Sequence, residues 1–213
     1  MRGILMTLSI LAKCPKTGNL GACVTTVNMA VGNRVPHIKS NVGVICTQAY
    51  TEVSYGIKGL KLLKLGFSPQ TTLEALLKED PDRDSRQVAI IDKHNRTAAY
   101  TGIECPKSKD HIIGDCFIAI GNKLTTTQVL DYVKDGFLSS KGNLANRLLS
   151  AIEAGLTAGE DENDKTSAAL LVAEPNQSEK PLSIHLRVDY HKDPIKELRR
   201  IFEYYCRTHT QRT

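Results

Sequence analysis

The sequence has little of what marks the specialised classes of protein. It contains no tryptophan, and aromatic residues make up 5% of its 213 residues. No stretch approaches the roughly 20 apolar residues that a membrane-spanning helix requires, so we expect no membrane partner. With 41% hydrophobic and 24% charged residues, the composition is typical of a globular protein and argues against disorder. A chain of this length can bury one large core, and we predict a single domain over residues 1–213.

The cysteines lack the pattern of a secreted, disulfide-stapled domain. There are six, spread over positions 14, 23, 46, 105, 116 and 206, whereas disulfide frameworks are dense in short chains. The first residues, MRGILMTLSILAKC, also argue against an export signal, because Thr7 and Ser9 interrupt the apolar run. Lys13 precedes Cys14 where a cleavage site requires a small residue. We therefore expect a cytoplasmic protein with mostly reduced thiols.

The formal net charge of +5 raises the question of a nucleic-acid partner, because basic residues concentrate in the last segment, KELRRIFEYYCRTHTQRT. Apolar residues recur there at helical spacing: Ile195, Leu198, Ile201, Phe202 and Tyr205. We therefore expect an amphipathic helix whose solvated face carries Lys196, Arg199, Arg200 and Glu203. A basic patch interleaved with exposed aromatics, which is typical of nucleic-acid binding, is not evident, so we expect no such partner.

Hydrophobic periodicity predicts hairpin-linked strands and paired helices. Residues 7–13 alternate apolar and polar side chains, PKTGNLG supplies a turn, and residues 22–27 form the second strand of a hairpin. We predict further strands at residues 42–49 and in RQVAIID, TAAYTG, CFIAIGN, SAALLVAEP and LSIHLRVDY. Helices are predicted at residues 55–65, after Ser68 with Pro69 at its first position, at 125–138, at 144–156 and at the C-terminal end. This order predicts an α+β fold of antiparallel sheets covered by helical layers.

Thr7 is the first candidate for chemistry. A threonine hydroxyl is a poor nucleophile without a base, and one recognised base is the free α-amine of an N-terminal threonine. An α-amine has an ordinary pKa of about 7.7–8.0, against about 10.4 for lysine, so a useful fraction is unprotonated near neutral pH. While Met6 remains attached, however, the Thr7 nitrogen is an amide without basicity. Spacing alone favours a simpler interpretation, that Thr7 is the first residue of an edge strand.

The second candidate is the group Cys105, His111 and Cys116 in ECPKSKDHIIGDC. A structural zinc site requires four ligands, usually with two cysteines two to four residues apart, and that pair is absent. A Cys–His nucleophile pair is a further alternative. The simpler interpretation is a small buried cysteine and a histidine in a surface loop. No glycine-rich phosphate-binding motif is present, and we expect neither a metal nor another cofactor.

Eight segments taken in order resemble one family. They are MTLSILAKCPKTGNLG, AVGNRVP, VGVICTQA, SYGIKGLKLL, RQVAIID, GNKL, TSAALLV and LRVDYHKDPIKELRR. They resemble the bacterial and archaeal domain-of-unknown-function family one-zero-two-eight (DUF1028), which is placed among the N-terminal nucleophile (Ntn) hydrolases together with proteasome β-subunits and penicillin acylases. The resemblance extends from Met6 to about Glu203 and implies a four-layer αββα sandwich. It also implies that the family begins at Met6–Thr7, so that residues 1–6 are an N-terminal extension preceding the nucleophile.

The resemblance also implies roles for individual residues. Thr7 would be the nucleophile, its amine the base, and backbone N–H groups the oxyanion hole. By analogy with proteasome-like members, Lys39 would lower the pKa of the nucleophile, and Ser9, on the same strand face as Thr7, would relay a proton. We accordingly predict hydrolysis of an amide bond in a small molecule or peptide by a homo-oligomer, since oligomers are common on this fold.

Several positions test the match to the family. Cys105, His111 and the pair Gly121–Asn122 follow the family pattern. Thr26–Val27 stands where relatives carry serine and a basic residue, and residues 163–166 (NDKT) replace a usual Arg-Gly-x-Gln. The loss of basic residues near the expected pocket leaves two alternatives. The protein acts on a different substrate, or it is a catalytically inactive binding or assembly protein that has kept the fold.

Overall fold

Two antiparallel sheets form the centre of the structure, a computed structural model that describes residues 6–158, 166–175 and 183–210. The strands are β1 (Thr7–Lys13), β2 (Leu20–Thr26), β3 (Pro36–Lys39), β4 (Gly43–Ala49), β5 (Arg86–Asp92), β6 (Thr97–Thr101), β7 (Asp110–Gly114), β8 (Phe117–Asn122), β9 (Ser167–Ala173) and β10 (Ile184–Val188). The six-stranded sheet has the order β10-β9-β2-β1-β8-β7, and the four-stranded sheet has the order β3-β4-β5-β6. Strand β1 is therefore central, and the interpretation of Thr7 as part of an edge strand is wrong.

Five helices accompany the sheets in the described part of the chain: α1 (Val53–Lys64), α2 (Pro69–Glu79), α3 (Val129–Ser139), α4 (Leu144–Ala158) and α5 (Pro194–Thr210). The predicted start of α2 is confirmed, because the Ser68 hydroxyl accepts a hydrogen bond from the Thr71 backbone N–H at 3.1 Å and Pro69 follows as the first helical residue. Gly66, with φ of +98°, ends the turn after α1 in the left-handed conformation that glycine adopts without strain.

Three hydrophobic clusters hold these elements together. One lies between the two sheets and includes Leu11, Ile118 and Ile91. A second joins the six-stranded sheet to α3, α4 and α5, and the third joins the four-stranded sheet to α1 and α2. Alternate side chains of β1 belong to different clusters, since Leu8 packs with the helices and Leu11 packs between the sheets. The side chain of Thr7 consequently faces the second sheet.

Some expectations need correction. Strand β3 and strand β7 were not predicted, and α3 begins at Val129 rather than at residue 125. Arg199 does not face solvent: its Nη2 lies 2.6 Å from Glu153 Oε2 on α4, and its Nε lies 2.8 Å from Glu153 Oε1. Residues 159–165 lie outside the described residues. None of the described helices combines the length and the apolar character needed to cross a lipid bilayer.

Candidate active site around Thr7

Thr7 occupies the end of a central strand between two polar neighbours. It is in register with Thr26 on β2 and with Asn122 on β8. The Thr7 and Thr26 hydroxyl oxygens lie 2.9 Å apart and share a hydrogen bond. Thr7 is 8% exposed, whereas Thr26 and Asn122 are each 2% exposed. The Thr7 hydroxyl is therefore held in a fixed position while a small part of the residue reaches the surface.

A cleft of about 470 Å³ opens beside Thr7. Its other lining residues are Asn28, Arg34, Ala49, Tyr50, Thr51, Arg86, Pro106, Asn122 and Lys123. Three of these side chains are cations, and none of the described lining residues is an aspartate, a glutamate or a histidine. The size is typical of small-molecule sites. The cleft thus presents the Thr7 hydroxyl in a basic environment in which no carboxylate or imidazole of the described lining residues is available as a base.

A chain of buried amides lies behind Thr7 and connects the two sheets. Ser9 Oγ donates to Gln48 Oε1 at 2.6 Å, and Gln48 Nε2 donates to Gln87 Oε1 at 2.8 Å. Asn122 Nδ2 donates to the same Gln87 oxygen at 3.1 Å. Gln87 Nε2 in turn lies 2.9 Å from the Gly121 carbonyl oxygen and 3.0 Å from the carbonyl oxygen of Asp110. These bonds fix the side chain of Asn122, the strand neighbour of Thr7.

The structure brings some of the predicted residues together and separates others. Thr7, Thr26 and Asn122 are adjacent. Ser9 is two residues along the same strand, but its hydroxyl donates to Gln48 rather than to Thr7, so its role as a proton relay stays a prediction.

Lys39 is the one predicted catalytic residue that lies far from Thr7. It pairs with Gly43 at the start of β4, whereas Ala49 at the other end of β4 lines the cleft with Thr7. Six residue steps along β4 separate Gly43 from Ala49, a span of about 20 Å. Order along the sequence suggested the assignment, but the β3–β4 hairpin turns at the end of the sheet remote from Thr7. Lys39 is therefore excluded from the candidate site.

The cysteine and histidine candidates do not form a common site. The Cys105 thiol donates to the Arg86 carbonyl oxygen at 3.1 Å, and His111 Nδ1 shares a hydrogen bond with Thr101 Oγ1 at 2.9 Å. Cys116 lies at the opposite end of the β7–β8 hairpin from His111, next to Asn95. Burial raises the pKa of the Cys105 thiol, the reverse of an activated nucleophile. Within the described residues, no three metal-ligating side chains are grouped to hold an ion.

The cations that line the cleft were not identified from the sequence. Gln48 and Gln87, which lie behind the cleft, were also not identified. The two glutamines had a visible signal, because each is a polar residue in a strand that is otherwise apolar and predicted to be buried, VGVICTQA and RQVAIID. The replaced motif at residues 163–166 is described only at Thr166, whose N–H donates to the Thr26 carbonyl oxygen at 2.8 Å. Residues 163–165 lie outside the described residues.

Arg86 is the one cleft cation with carboxylate partners among the described residues. Its Nε lies 2.8 Å from Asp80 Oδ2, and both side chains are nearly buried, at 12% and 11% exposed. The Tyr55 hydroxyl also donates to Asp80 Oδ2 at 2.8 Å. The hydrogen bond from Arg86 is the main reason that the pKa of Asp80 falls to about 2. Arg86 is thereby neutralised and held against the wall of the cleft.

This ion pair predicts a stability difference that depends on pH. The folded-state pKa of Asp80, about 2, lies below its ordinary value of 3.8, so its contribution is present above pH 4 and is lost as the pH falls towards 2. We expect Asp80→Asn to lower the free energy of unfolding by about 2 kcal/mol at pH 7 and by much less at pH 2. Urea unfolding at several pH values measures this. Asp82→Asn is the control, because Asp82 is 73% exposed and 3.4 Å from Arg86. An equal loss at both pH values would contradict the assignment.

Comparison with known proteins gives a consistent result for the family. The sequence profile described as "Family of unknown function (DUF1028)" matches residues 7–198. A crystal structure of a DUF1028 protein from Silicibacter pomeroyi is 32% identical, covers 93% of this chain and 85% of its own, and superimposes with a TM-score of 0.86. No curated protein matches the chain in sequence.

More distant structures also align. HslV from Trypanosoma brucei is 11% identical, with 78% of this chain and 99% of that chain covered and a TM-score of 0.44. Anbu (ancestral beta-subunit) from Yersinia bercovieri is 9% identical over 97% of both chains, again with a TM-score of 0.44.

Proposed function

This chain belongs to the DUF1028 family, and on that premise we propose that it is an N-terminal nucleophile hydrolase that cleaves an amide bond, with Thr7 as the nucleophile. The observation that carries the proposal is the position of Thr7. Thr7 lines a cleft of about 470 Å³ and is the first residue of a central strand. A nucleophile at that position becomes the N-terminus when the preceding segment is removed.

The choice of base follows from what surrounds Thr7. The cations that line the cleft are two arginines and a lysine, and an arginine does not accept a proton in proteins. The neighbouring Thr26 hydroxyl exchanges a hydrogen bond with Thr7 but is itself a very weak base. The α-amine of a terminal Thr7, with an ordinary pKa near 8, is the group suited to the task near neutral pH.

The reaction then has two halves. The Thr7 hydroxyl oxygen attacks the carbonyl carbon of the amide while the α-amine takes the hydroxyl proton. The C–N bond breaks, the amine returns the proton to the leaving nitrogen, and the acyl group remains as an ester on Thr7. In the second half, water gives a proton to the amine and attacks the ester. The carboxylic acid leaves, and Thr7 regains its proton.

One observation favours the second candidate, an inactive binding protein on the same fold. Met6 is fully buried in the cluster between the six-stranded sheet and the helices. Burial of a methionine side chain stabilises the fold by about 1.5–3 kcal/mol, so retention of Met6 has a structural benefit. With Met6 in place, the Thr7 nitrogen is an amide and the mechanism above is impossible.

Intact-mass spectrometry of the protein purified from its native host distinguishes the two candidates. Hydrolase function requires a chain that begins at Thr7, and we expect that mass to dominate. A homogeneous species that still carries Met6 would support the binding protein. An engineered chain whose Met6–Thr7 bond is cut by a specific protease provides the matched active form, and its uncut precursor is the control.

Three further proposals concern architecture and assembly. We propose that residues 1–213 form one domain and that its layers follow the four-layer αββα order, which is supported by the cluster between the sheets and the two clusters beneath helices. We also propose a homo-oligomer in the cytoplasm. Light scattering of the purified chain tests the oligomer, and a monomer at micromolar concentration would contradict it.

A further inference from the structure

The charged side chains that line the cleft in the described part of the chain all carry positive charge. Arg34, Arg86 and Lys123 all line it, and no acidic side chain does so within the described residues. Arg86 is engaged by Asp80 at 2.8 Å. Arg34 and Lys123, in contrast, have no carboxylate within 4 Å among the described residues. Two cations without a carboxylate partner in the described part of the chain therefore face the same cavity as Thr7.

Backbone hydrogen bonds hold the main chain in place at both Arg34 and Lys123. Arg34 follows the 3₁₀ turn Val31–Asn33, and its N–H donates to the Val31 carbonyl oxygen at 3.0 Å. The Ser167 hydroxyl secures the same loop, because it accepts from the Val31 N–H at 3.0 Å and donates to the Asn28 carbonyl oxygen at 2.6 Å. The base of Arg34 is consequently fixed to the six-stranded sheet.

Lys123 is held in a conformation that lysine seldom adopts. It directly follows Asn122, the strand neighbour of Thr7, with a left-handed φ of +51°. Its N–H donates to the Lys107 carbonyl oxygen at 3.1 Å, and the next N–H donates to the carbonyl oxygen of Ser108 at 2.9 Å. Left-handed backbone at a residue with a side chain is strained, and such strain concentrates at binding and catalytic sites.

We propose that the cleft selects amide substrates that carry an anionic group, a carboxylate or a phosphate, close to the scissile bond, and that Arg34 and Lys123 bind that group. This substrate class rests on the proposed hydrolase function. A guanidinium and an ammonium side chain without acidic partners attract an anion, and arginine binds planar carboxylates through paired hydrogen bonds. The sequence suggested that basic residues near the pocket had been lost, yet the structure supplies these two from other elements.

Three matched probes test the proposal: N-acyl derivatives of glycine, glycinamide and aminomethylphosphonate, each with acetyl, hexanoyl and phenylacetyl groups. The Thr7-terminal protein is expected to hydrolyse an anionic probe with a kcat/KM about tenfold or more above that of the neutral glycinamide. Faster turnover of the carboxylate or of the phosphonate identifies which anion the site takes. Equal rates for all three would overturn the proposal while leaving the hydrolase function intact.

The variant Arg34→Gln/Lys123→Gln is expected to lose this preference, so that its kcat/KM for the anionic probes falls by about tenfold or more, towards its kcat/KM for the glycinamide derivatives. Its control is Lys16→Gln/Lys93→Gln, which removes the same charge from exposed turns at the far ends of the sheets. A preference that survives in the first variant would overturn the assignment of Arg34 and Lys123.

Calorimetric binding of the same probes separates this inference from the proposed function. If no probe is hydrolysed but the anionic ones bind to the wild-type chain and not to Arg34→Gln/Lys123→Gln, the hydrolase function fails and the anion site stands. If neither anionic probe binds, and neither is cleaved in preference to the neutral probe, the anion site is refuted. Raised salt is expected to weaken the binding of both anions, because it screens exposed charges.

Discussion

The Thr7→Ala protein, matured so that residue 7 is its N-terminus, is expected to lose amide hydrolysis by about a thousandfold or more in kcat. The alanine variant keeps the α-amine and the cleft but has no oxygen with which to form the acyl ester. The fold should persist, because Thr7 contributes one side-chain hydrogen bond, to Thr26. Loss of that bond costs about 1 kcal/mol and lowers the melting temperature by about 2–4 °C.

Two matched variants make this result specific. Thr7→Ser retains both a hydroxyl and the amine, so measurable activity is expected. Thr26→Ala removes the hydrogen-bond partner of the Thr7 hydroxyl while leaving Thr7 in place, and a modest loss of kcat is expected. If Thr7→Ala kept full activity in a folded protein, the hydroxyl of Thr7 would have no catalytic role.

The central strands were predictable because their side chains alternate between two environments. Residues 7–13 and RQVAIID were predicted with the bounds that the structure has, as β1 and β5. Each has neighbours on both sides and apolar residues on both faces, so the pattern in the sequence is strong. Local signals were equally reliable where one residue determines the geometry, as at Ser68.

Two of the four edge strands in the described part of the chain, β3 and β7, were not predicted, whereas the edge strands β6 and β10 were. Strands β3 and β7 each lie at the edge of a sheet and are only partly buried, so their apolar periodicity is weak. Pro36 starts β3, a position that tolerates proline because an edge strand leaves backbone groups without a partner. Arg199 illustrates a related limit. Helical spacing does not reveal that Glu153, on another helix, draws the arginine inward.

The candidate site shows why order along a chain is a poor guide to proximity. Thr7 could be singled out from the sequence because its chemistry depends on its own position at a strand start. The partner assigned to it, Lys39, could not be verified, because the direction in which a hairpin turns decides which of its ends approaches β1. Gln48 and Gln87 are paired on neighbouring strands of one sheet, but their bonds to Ser9 and Asn122 form only when the two sheets pack. Arg34 and Lys123 reach the cleft from separate loops. None of these contacts is encoded in local spacing.

Gln87→Leu is expected to destabilise the protein by about 3–5 kcal/mol, a large effect for a substitution that nearly conserves side-chain volume. The Gln87 oxygen accepts hydrogen bonds from Gln48 Nε2 at 2.8 Å and from Asn122 Nδ2 at 3.1 Å. The Gln87 nitrogen donates to the Gly121 carbonyl oxygen at 2.9 Å. All three side chains are buried, with Gln87 and Gln48 0% exposed and Asn122 2% exposed. Water therefore does not readily replace the hydrogen bonds that the leucine cannot make. Each orphaned group costs about 1–3 kcal/mol. Urea unfolding measures the change.

Two comparisons identify the amide network as the cause. Gln70→Leu makes the same chemical change at an exposed position on α2, where a difference within about 0.5 kcal/mol is expected. Gln87→Glu keeps an acceptor oxygen for Gln48 and Asn122 but loses the N–H donors, so part of the loss should remain. A cost below about 1 kcal/mol for Gln87→Leu would mean that the partners find other hydrogen bonds. Asn122 is the strand neighbour of Thr7, and Gln87 fixes its side chain. A folded Gln87 variant should therefore also show a lower kcat, because the buried amides no longer hold the residues around Thr7 in place.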